Sequence, residues 1–291
     1  MRIAELVQYG ISELQSAGIP DCTTDVYLLA GHCLGKSRTQ LLAYGRDEVP
    51  AELEHAFREL LSRRKNREPV AYILGEQEFW SLPFTVNPNV LIPRPETELL
   101  VEKALATMVA DDFPKEGKVI DLCCGSGIIA IILALESKRE ILAIDISPEA
   151  LAVTELNCVR HGVQHHVELL RSDLLAEVIA RGETVSLVVS NPPYVTTHAV
   201  FNEVEPEVGV YEPRLALDGG VDGLDQIALI RRQLSDTLVE GGRILMEIGA
   251  DQGAAVHALF SSHIPGYRDF RKVEIIADYA GRDRILHAII A

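Results

Sequence analysis

The sequence predicts an α/β protein in which an N-terminal helical bundle and a β-hairpin precede a mostly parallel sheet with helices on both faces. Three observations support this prediction. Residues 1 to 70 carry apolar side chains at helical spacing, residues 76 to 93 show a strand-like pattern, and strands and helices alternate from Lys118 onward. A chain of 291 residues has room for one full α/β domain and a smaller companion.

The composition is that of a folded globular protein, with 47% hydrophobic and 24% charged residues. The net charge of −16 disfavours nucleic acid as a direct partner, because phosphate binding depends on clustered Lys and Arg. One basic stretch, residues 63–67, is interpreted as a solvated helix end. Five cysteines without CxxC spacing indicate reduced thiols and no zinc site.

No targeting or membrane segment is evident. The first five residues lack the apolar core of a signal peptide, and the longest apolar run, 128–135, is too short to cross a bilayer. We therefore expect a cytoplasmic protein without a membrane partner or a bound metal, and we expect it to be a monomer.

Three helices are expected in the first domain, which we place at residues 1–74. The first begins near Ile3 and stops at Gly18 and Pro20. The second starts after a cap at Thr23 or Thr24 and ends at Gly35, and the third runs from residue 50 to residue 61.

A hairpin is expected at residues 75–93, where we place the joint between the domains. Its turn residues are Pro83, Asn87, Pro88 and Asn89. The last domain, 94–291, opens with a helix whose first turn is acidic, as the helix dipole favours. Its strands are expected at 119–122, 141–145, 167–170, 185–189 and 243–248, with two more within 273–291.

A candidate nucleotide loop joins the first of these strands to its helix. Residues 121–127 read Asp-Leu-Cys-Cys-Gly-Ser-Gly, and such glycines let the backbone approach a ligand closely. Because Gly125, Gly127 and Ala130 also satisfy the dinucleotide fingerprint, NAD and S-adenosylmethionine are both candidates. The loop positions predicted to bind the cofactor are Cys123, Cys124, Gly125, Ser126 and Gly127.

Three aspartates add to this site. Asp121 places a carboxylate where a pyrophosphate would be repelled and the cationic amino-acid part of S-adenosylmethionine would not, although it could instead bind loop N–H groups. Asp145 ends the next strand, where it could accept hydrogen bonds from ribose hydroxyls or cap a helix. Asp173 could accept from the adenine amino group or serve as a helix N-cap.

The tetrad Asn191-Pro192-Pro193-Tyr194 follows the fourth strand and should share a sheet edge with the glycine loop. The Asn191 side-chain oxygen and the Pro192 carbonyl can accept both hydrogens of a planar amide and so aim its nitrogen lone pair at a methyl donor. The prolines stiffen the segment, and Tyr194 can stack on the amide and face the sulfonium. The alternative is an ordinary proline-rich turn.

These motifs resemble those of class I amino-methyltransferases. Enzymes of that class have a Rossmann-like sheet and methylate planar NH₂ groups. Five further stretches resemble the bacterial peptide chain release factor glutamine methyltransferases, namely residues 68–75, 79–80, 91–98, 212–217 and 219–224. The likeness covers nearly everything from residue 68 onward. One departure is Cys124, where the family more often has Thr.

The resemblance implies methylation of the side-chain nitrogen of the glutamine in the Gly-Gly-Gln motif of class I release factors, with S-adenosylhomocysteine as product. It implies that residues 123–127, Asp145 and Asn191 contact the cofactor, that Leu174 borders the adenine, and that residues 191–194 hold the glutamine. The helical bundle would then recognise the protein substrate.

Other functions stay open at this point. A glutamine methyltransferase for a ribosomal protein shares the tetrad, although Pro95-Glu96-Thr97-Glu98 favours the release-factor family. An amino-methyltransferase for a nucleic-acid base could use the same tetrad, but the acidic net charge of the chain argues against a nucleic-acid substrate. A non-catalytic cofactor-binding protein and an NAD oxidoreductase are the candidates from other classes.

Overall fold

A computed structural model describes all 291 residues. By its internal contacts the chain divides into two compact units. The helical unit comprises Met1–Glu76 together with Glu205–Tyr211, and the sheet unit comprises Gln77–Val204 and Glu212–Ala291. The hairpin therefore groups with the sheet, and a short segment from the second half of the chain groups with the helices.

The helical unit contains the three predicted helices and three shorter ones. Its helices are α1 (Ile3–Ser16), α2 (Cys22–Leu34), α3 (Arg38–Ala43), α4 (Ala51–Lys65), α5 (Val70–Leu74) and α11 (Pro206–Tyr211). Leu6, Leu14, Val26, Leu29 and Phe57 form the centre of its core. The predicted cap of α2 was wrong, because the helix begins one residue before Thr23 and its N-cap, Asp21, makes no side-chain capping bond.

The basic stretch at 63–67 is only in part a solvated helix end. Arg64 is buried, and its guanidinium binds Asp25 at 2.7 Å and Glu207 at 2.9 Å. Glu207 also pairs with Arg67 at 3.1 Å. These ion pairs hold the Glu205–Tyr211 segment within the helical unit, which explains why a boundary at residue 74 leaves part of that unit out.

The hairpin pairs β1 (Glu76–Phe79) with β2 (Leu82–Thr85). Its turn consists of Trp80 and Ser81, both with positive φ, as a two-residue turn of the right twist requires. Pro83, predicted as a turn residue, lies in β2 instead. The prediction was wrong because no glycine or asparagine marks the true turn.

The sheet unit confirms the predicted α/β class. Its strands are β3 (Lys118–Leu122), β4 (Ile141–Asp145), β5 (Val167–Arg171), β6 (Val185–Ser190), β7 (Leu238–Glu247), β8 (Phe270–Ala277) and β9 (Asp283–Ile290). Their order is β5-β4-β3-β6-β7-β9-β8, and only the last two pairings are antiparallel. Strands β3 and β6 are therefore neighbours at the centre, where the chain order reverses and ligands bind in such sheets.

Two apolar cores cover the faces of this sheet. The helices are α6 (Thr97–Met108), α7 (Ile128–Ser137), α8 (Pro148–Arg160), α9 (Ala176–Ala180), α10 (Thr197–Asn202), α12 (Asp225–Thr237) and α13 (Gly253–Ser261). Helix α8 begins after its N-cap Ser147, whose hydroxyl accepts from the Ala150 amide at 3.0 Å. No helix of the chain combines the length and apolarity that crossing a bilayer demands.

Candidate active site

The glycine loop and the tetrad leave the sheet side by side. Leu122 at the end of β3 pairs with Ser190 at the end of β6, and the two strands are parallel. The Ser190 hydroxyl donates to the Leu122 carbonyl at 2.7 Å, which joins the two strand ends. The next residues, Cys123 and Asn191, therefore start their loops at the same edge.

A cavity of about 400 Å³ opens at this edge. Its size falls within the range of small-molecule sites. Nine of the predicted site residues line it, namely Cys123, Cys124, Gly125, Ser126, Asp145, Asp173, Leu174, Asn191 and Pro193. The other four, Asp121, Gly127, Pro192 and Tyr194, are not part of the lining.

Asp145 reaches the cavity from the end of β4. One carboxylate oxygen accepts from the Gly125 amide at 2.9 Å and the other from the Ser147 amide at 3.0 Å. Burial raises the pKa of Asp145, and these backbone hydrogen bonds act in the opposite direction. Since Ser147 is the N-cap of α8, Asp145 is not that cap, and it forms part of the cavity wall.

Asp121 lies beneath the loop rather than in the cavity. Its side chain is fully buried, and one oxygen accepts from the Ala130 amide at 2.9 Å in the first turn of α7. The other oxygen is buried without a partner. Burial raises the pKa of Asp121 to about 7. Asp121 therefore has the alternative role, which is to accept a hydrogen bond from a backbone amide. It is not part of the cavity wall where a ligand would bind.

Helix α8 supports the glycine loop from behind. The Thr154 hydroxyl donates to the Gly125 carbonyl at 2.9 Å and lies 3.6 Å from the Cys124 sulfur. Asn157 donates to the Ser126 carbonyl at 2.9 Å and also binds the backbone of Thr85. Both side chains are fully buried, so the loop rests on a rigid polar support. The thiol at Cys124 thus contacts Thr154.

Two glycines of the loop differ in what surrounds them. Both have positive φ, +54° at Gly125 and +81° at Gly127. A Cβ at Gly127 would lie 2.5 Å from Cγ2 of Thr154, whereas a Cβ at Gly125 would meet nothing within 4 Å. The loop can therefore approach α8 only because residue 127 lacks a side chain.

We expect Gly127→Ala to lower the free energy of unfolding by about 2–4 kcal/mol, because left-handed strain adds to overpacking. Gly125→Ala should cost about 1–2 kcal/mol, since only the strain applies. Urea unfolding of both variants measures the difference. Thr154→Ser, which removes the opposing methyl group, should recover part of the loss in the Gly127→Ala background. Equal losses for the two glycines would contradict this explanation.

Asp173 and Leu174 line the cavity beyond β5. Asp173 is exposed and does not cap a helix, because α9 has Leu175 as its N-cap. Leu174 adopts a left-handed φ of +49°, and Cys123 one of +63°. Such strain at residues other than glycine is concentrated at functional sites, and both residues belong to the cavity wall.

The tetrad is held by a buried hydrogen-bond chain. The Asn191 side-chain nitrogen donates to the Thr97 hydroxyl at 3.2 Å, and that hydroxyl donates to Glu247 at 2.8 Å. The Tyr194 hydroxyl donates to the other oxygen of Glu247 at 3.0 Å. Burial, the charge of Glu247 and this hydrogen bond all raise the pKa of Tyr194. Tyr194 packs against an apolar core, so the expected contact of its ring with a ligand stays a prediction.

Sequence reasoning gave no role to Thr97, Thr154, Asn157 or Glu247. One signal was available for Glu247, which is the single carboxylate in the buried run 244–248 and must therefore have partners. No such signal existed for the others, whose partners lie far away in the chain.

Two of the stretches that resemble the family meet in an ion pair between the half-buried Arg94 and the buried Glu212. The carboxylate of Glu212 accepts from Arg94 at 2.6 Å and from the Ile92 amide at 3.3 Å. Burial raises the pKa of Glu212, and the charge of Arg94 opposes the shift. This pair ties the 91–98 stretch to the 212–217 stretch, and Arg94 and Pro213 both line the cavity.

Comparison with known proteins places the chain in a family. Residues 5–75 match the PrmC N-terminal domain model, and residues 96–208 match the methyltransferase small domain model. A release factor glutamine methyltransferase from Clostridium botulinum is 37% identical, and the match covers 99% of each chain. The chain belongs to the family of release factor glutamine methyltransferases.

Other members of the release factor glutamine methyltransferase family give the same result. The Escherichia coli member is 35% identical over 98% of each chain, and the Pseudomonas aeruginosa member is 39% identical over 94% of this chain and 95% of the other. Among solved structures, the hMettl16 catalytic domain has a TM-score of 0.56 at 14% identity, covering 80% of this chain and 82% of that one. That likeness concerns the fold alone, and the match to the methyltransferase small domain model confirms the predicted Rossmann-like methyltransferase fold class.

Proposed function

We propose that this chain transfers a methyl group from S-adenosylmethionine to the side-chain amide nitrogen of the glutamine in the Gly-Gly-Gln motif of class I release factors. The observation that carries this proposal is the orientation of Asn191. Its side chain lines the cavity while its nitrogen is engaged by Thr97, so its oxygen is the atom left to accept a hydrogen bond from a ligand.

The cavity suits S-adenosylmethionine in size and in its polar groups. Asp145 offers carboxylate lone pairs suited to ribose hydroxyls, and Asp173 offers a second acceptor from the far wall. At Gly125 a side chain would project into open space, so the backbone there is accessible. When bound, S-adenosylmethionine supplies a methyl group on a positively charged sulfur and leaves as S-adenosylhomocysteine.

The residues of the chain contribute mainly positioning. An amide nitrogen is a poor nucleophile because its lone pair is delocalised into the carbonyl group, so its orientation decides the rate. The Asn191 oxygen and the Pro192 carbonyl are proposed to accept the two amide hydrogens, and the proton lost from nitrogen passes to water. Tyr194 is proposed to stack on the planar amide.

Mass spectrometry of a class I release factor incubated with the chain and an isotope-labelled methyl donor tests this function. We expect a single label on the glutamine of Gly-Gly-Gln, and none when that glutamine is replaced by glutamate. Label on another residue would refute the proposal. Preferential labelling of a ribosomal protein or of a nucleic-acid base would support one of the alternative substrates instead.

We further propose that the helical unit recognises the body of the release factor. This unit contains a second cavity of the protein, also of about 400 Å³. Tyr27, Leu28, Lys36 and Arg38 are among the residues that line it. Leu28 is 48% exposed and lies beside Tyr27 and Arg38, two residue types that are enriched in protein interfaces. Because release factors act in translation, we place the activity in the cytoplasm, and we propose a monomeric enzyme.

We expect Leu28→Glu to raise KM for a whole release factor about tenfold and to leave KM for a short Gly-Gly-Gln peptide unchanged. Val109→Glu, at an 82% exposed position of the sheet unit, is the control and should change neither value. Steady-state kinetics with both substrates measure the effect. If KM rises equally for protein and peptide, the helical unit does not have this role.

A further inference from the structure

One buried carboxylate is linked to two members of the tetrad, directly to Tyr194 and through Thr97 to Asn191. Glu247 is 1% exposed and lies at the end of β7, next to β6 in the sheet. One of its oxygens accepts from the Thr97 hydroxyl at 2.8 Å, and the other accepts from Tyr194 at 3.0 Å. Thr97, itself 1% exposed, begins α6 and accepts from Asn191 at 3.2 Å. Residues of the tetrad, α6 and β7 therefore form one hydrogen-bond network, in which Thr97 contacts the Asn191 amide.

The direction of these hydrogen bonds is determined by chemistry. An ionised carboxylate can only accept, so the single hydroxyl hydrogen of Thr97 must point at Glu247. The Thr97 oxygen can then only accept from Asn191, which has to present its NH₂ group. The Asn191 oxygen is thereby directed away from Thr97 and makes no hydrogen bond within the protein.

We propose that Thr97 and Glu247 are positioning residues that fix the amide orientation of Asn191, so that its oxygen rather than its nitrogen meets the substrate amide. The inference rests on the proposed function, since it concerns the same site. A flipped Asn191 would present NH₂ to the NH₂ of the glutamine and lose the acceptor. Glu247 would act on the tetrad through two hydroxyls without touching the substrate.

The charges around Glu247 come from three elements. Tyr194 contacts it from the tetrad, Arg284 of β9 attracts it, and Glu96 before α6 repels it. Burial is the largest influence and raises the pKa of Glu247, against the hydrogen bonds from Thr97 and Tyr194. Protonation would give Glu247 a donor, which would release the Thr97 hydroxyl hydrogen toward Asn191. The hydrogen bonds from Asn191 through Thr97 to Glu247 would then no longer have one fixed direction.

Thr97→Val tests the proposal, because valine keeps the shape and removes the hydroxyl. We expect kcat for the Gly-Gly-Gln substrate to fall about tenfold to a hundredfold, with donor affinity by calorimetry within about twofold of wild type. Thr97→Ser should restore kcat to within about threefold. The matched control is Thr107→Val, the same change at a buried position of the same helix outside the cavity, which should leave kcat unchanged.

The pH profile supplies a measurement that a merely structural role would not affect. A raised pKa means that Glu247 takes up its proton at a higher pH than an ordinary glutamate does. Wild-type kcat should therefore fall as the pH drops through this raised pKa, with the loss complete below it. Glu247→Gln, which cannot ionise, should lower kcat about tenfold at neutral pH and abolish this acidic decline. This variant also serves if Thr97→Val fails to fold.

These experiments distinguish failure of this inference from failure of the proposed function. If wild type places no methyl group on glutamine, the function and the inference both fall. If wild type methylates glutamine while folded Thr97→Val keeps normal kcat, or Glu247→Gln keeps the acidic decline, only the inference is overturned. A loss in Thr97→Val that Thr97→Ser restores supports it.

Discussion

Asn191→Ala is expected to reduce methyl transfer to glutamine by about a hundredfold to a thousandfold, which corresponds to about 2.7–4 kcal/mol of transition-state stabilisation. The variant loses the oxygen that faces the cavity, whereas the bonds of Asp145 to Gly125 and Ser147 stay in place. Donor affinity should therefore change little. Single-turnover kinetics give the transfer rate, and calorimetry with S-adenosylmethionine gives the affinity.

A matched control is Asn202→Ala at the exposed end of α10, which should leave both quantities at their wild-type values. A loss of donor affinity as large as the loss of rate would mean that Asn191 mainly binds the cofactor. Unchanged turnover in Asn191→Ala would contradict the assigned role altogether.

Asp145→Ala should have the opposite pattern, with donor affinity falling about a hundredfold or more. Two hydrogen bonds from ribose hydroxyls to a carboxylate, at about 1.5 kcal/mol each, account for that factor. The change also leaves the Gly125 and Ser147 amides without their acceptors, which loosens the loop. Calorimetric titration measures the affinity, and kcat at saturating donor should be affected less than the affinity.

Asp173→Ala is the comparison, because its carboxylate also lines the cavity but is exposed and makes no hydrogen bond to the loop. We expect it to weaken donor binding about tenfold or less. Asp145→Asn, which keeps the shape and one acceptor, should lie between the two. An affinity in Asp145→Ala equal to that of wild type would show that the carboxylate does not bind the ribose.

The order of strands and helices could be predicted because buried parallel strands are short continuous apolar runs. Strands β3, β4 and β6 are largely of this kind, whereas the edge strand β5 exposes Glu168 and Arg171. Helix α8 carries its own start signals at Ser147 and Pro148. The hairpin turn at Trp80 and Ser81 could not be predicted, since neither residue type favours positive φ. Helices α10, α12 and α13 also went unpredicted.

The residues of the cavity wall that lie at the carboxyl ends of strands could be predicted from the sequence. The glycine loop and Asn191 come directly after a strand and Asp145 is the last residue of one, so topology alone brings them together. Asp121 differs because it lies within β3, one residue before the strand ends, and its side chain points into the protein beneath α7.

The supports of the site could not be predicted from spacing. Thr97 and Glu247 are 150 residues apart, and Asn157 binds Thr85 across 72 residues. Apart from Glu247, whose apolar neighbours mark a buried carboxylate, nothing local distinguishes these side chains from ordinary helix and strand residues. The same applies to Arg64, which looks like part of an exposed basic helix end and instead binds Glu207, 143 residues away.

The most direct test of the account is a crystal structure with S-adenosylhomocysteine and a Gly-Gly-Gln peptide bound. We predict that the glutamine amide nitrogen lies within hydrogen-bond distance of both the Asn191 side-chain oxygen and the Pro192 carbonyl, with the Asn191 nitrogen still bonded to Thr97. An Asn191 side chain turned away from the glutamine, or a glutamine held elsewhere in the cavity, would contradict the account.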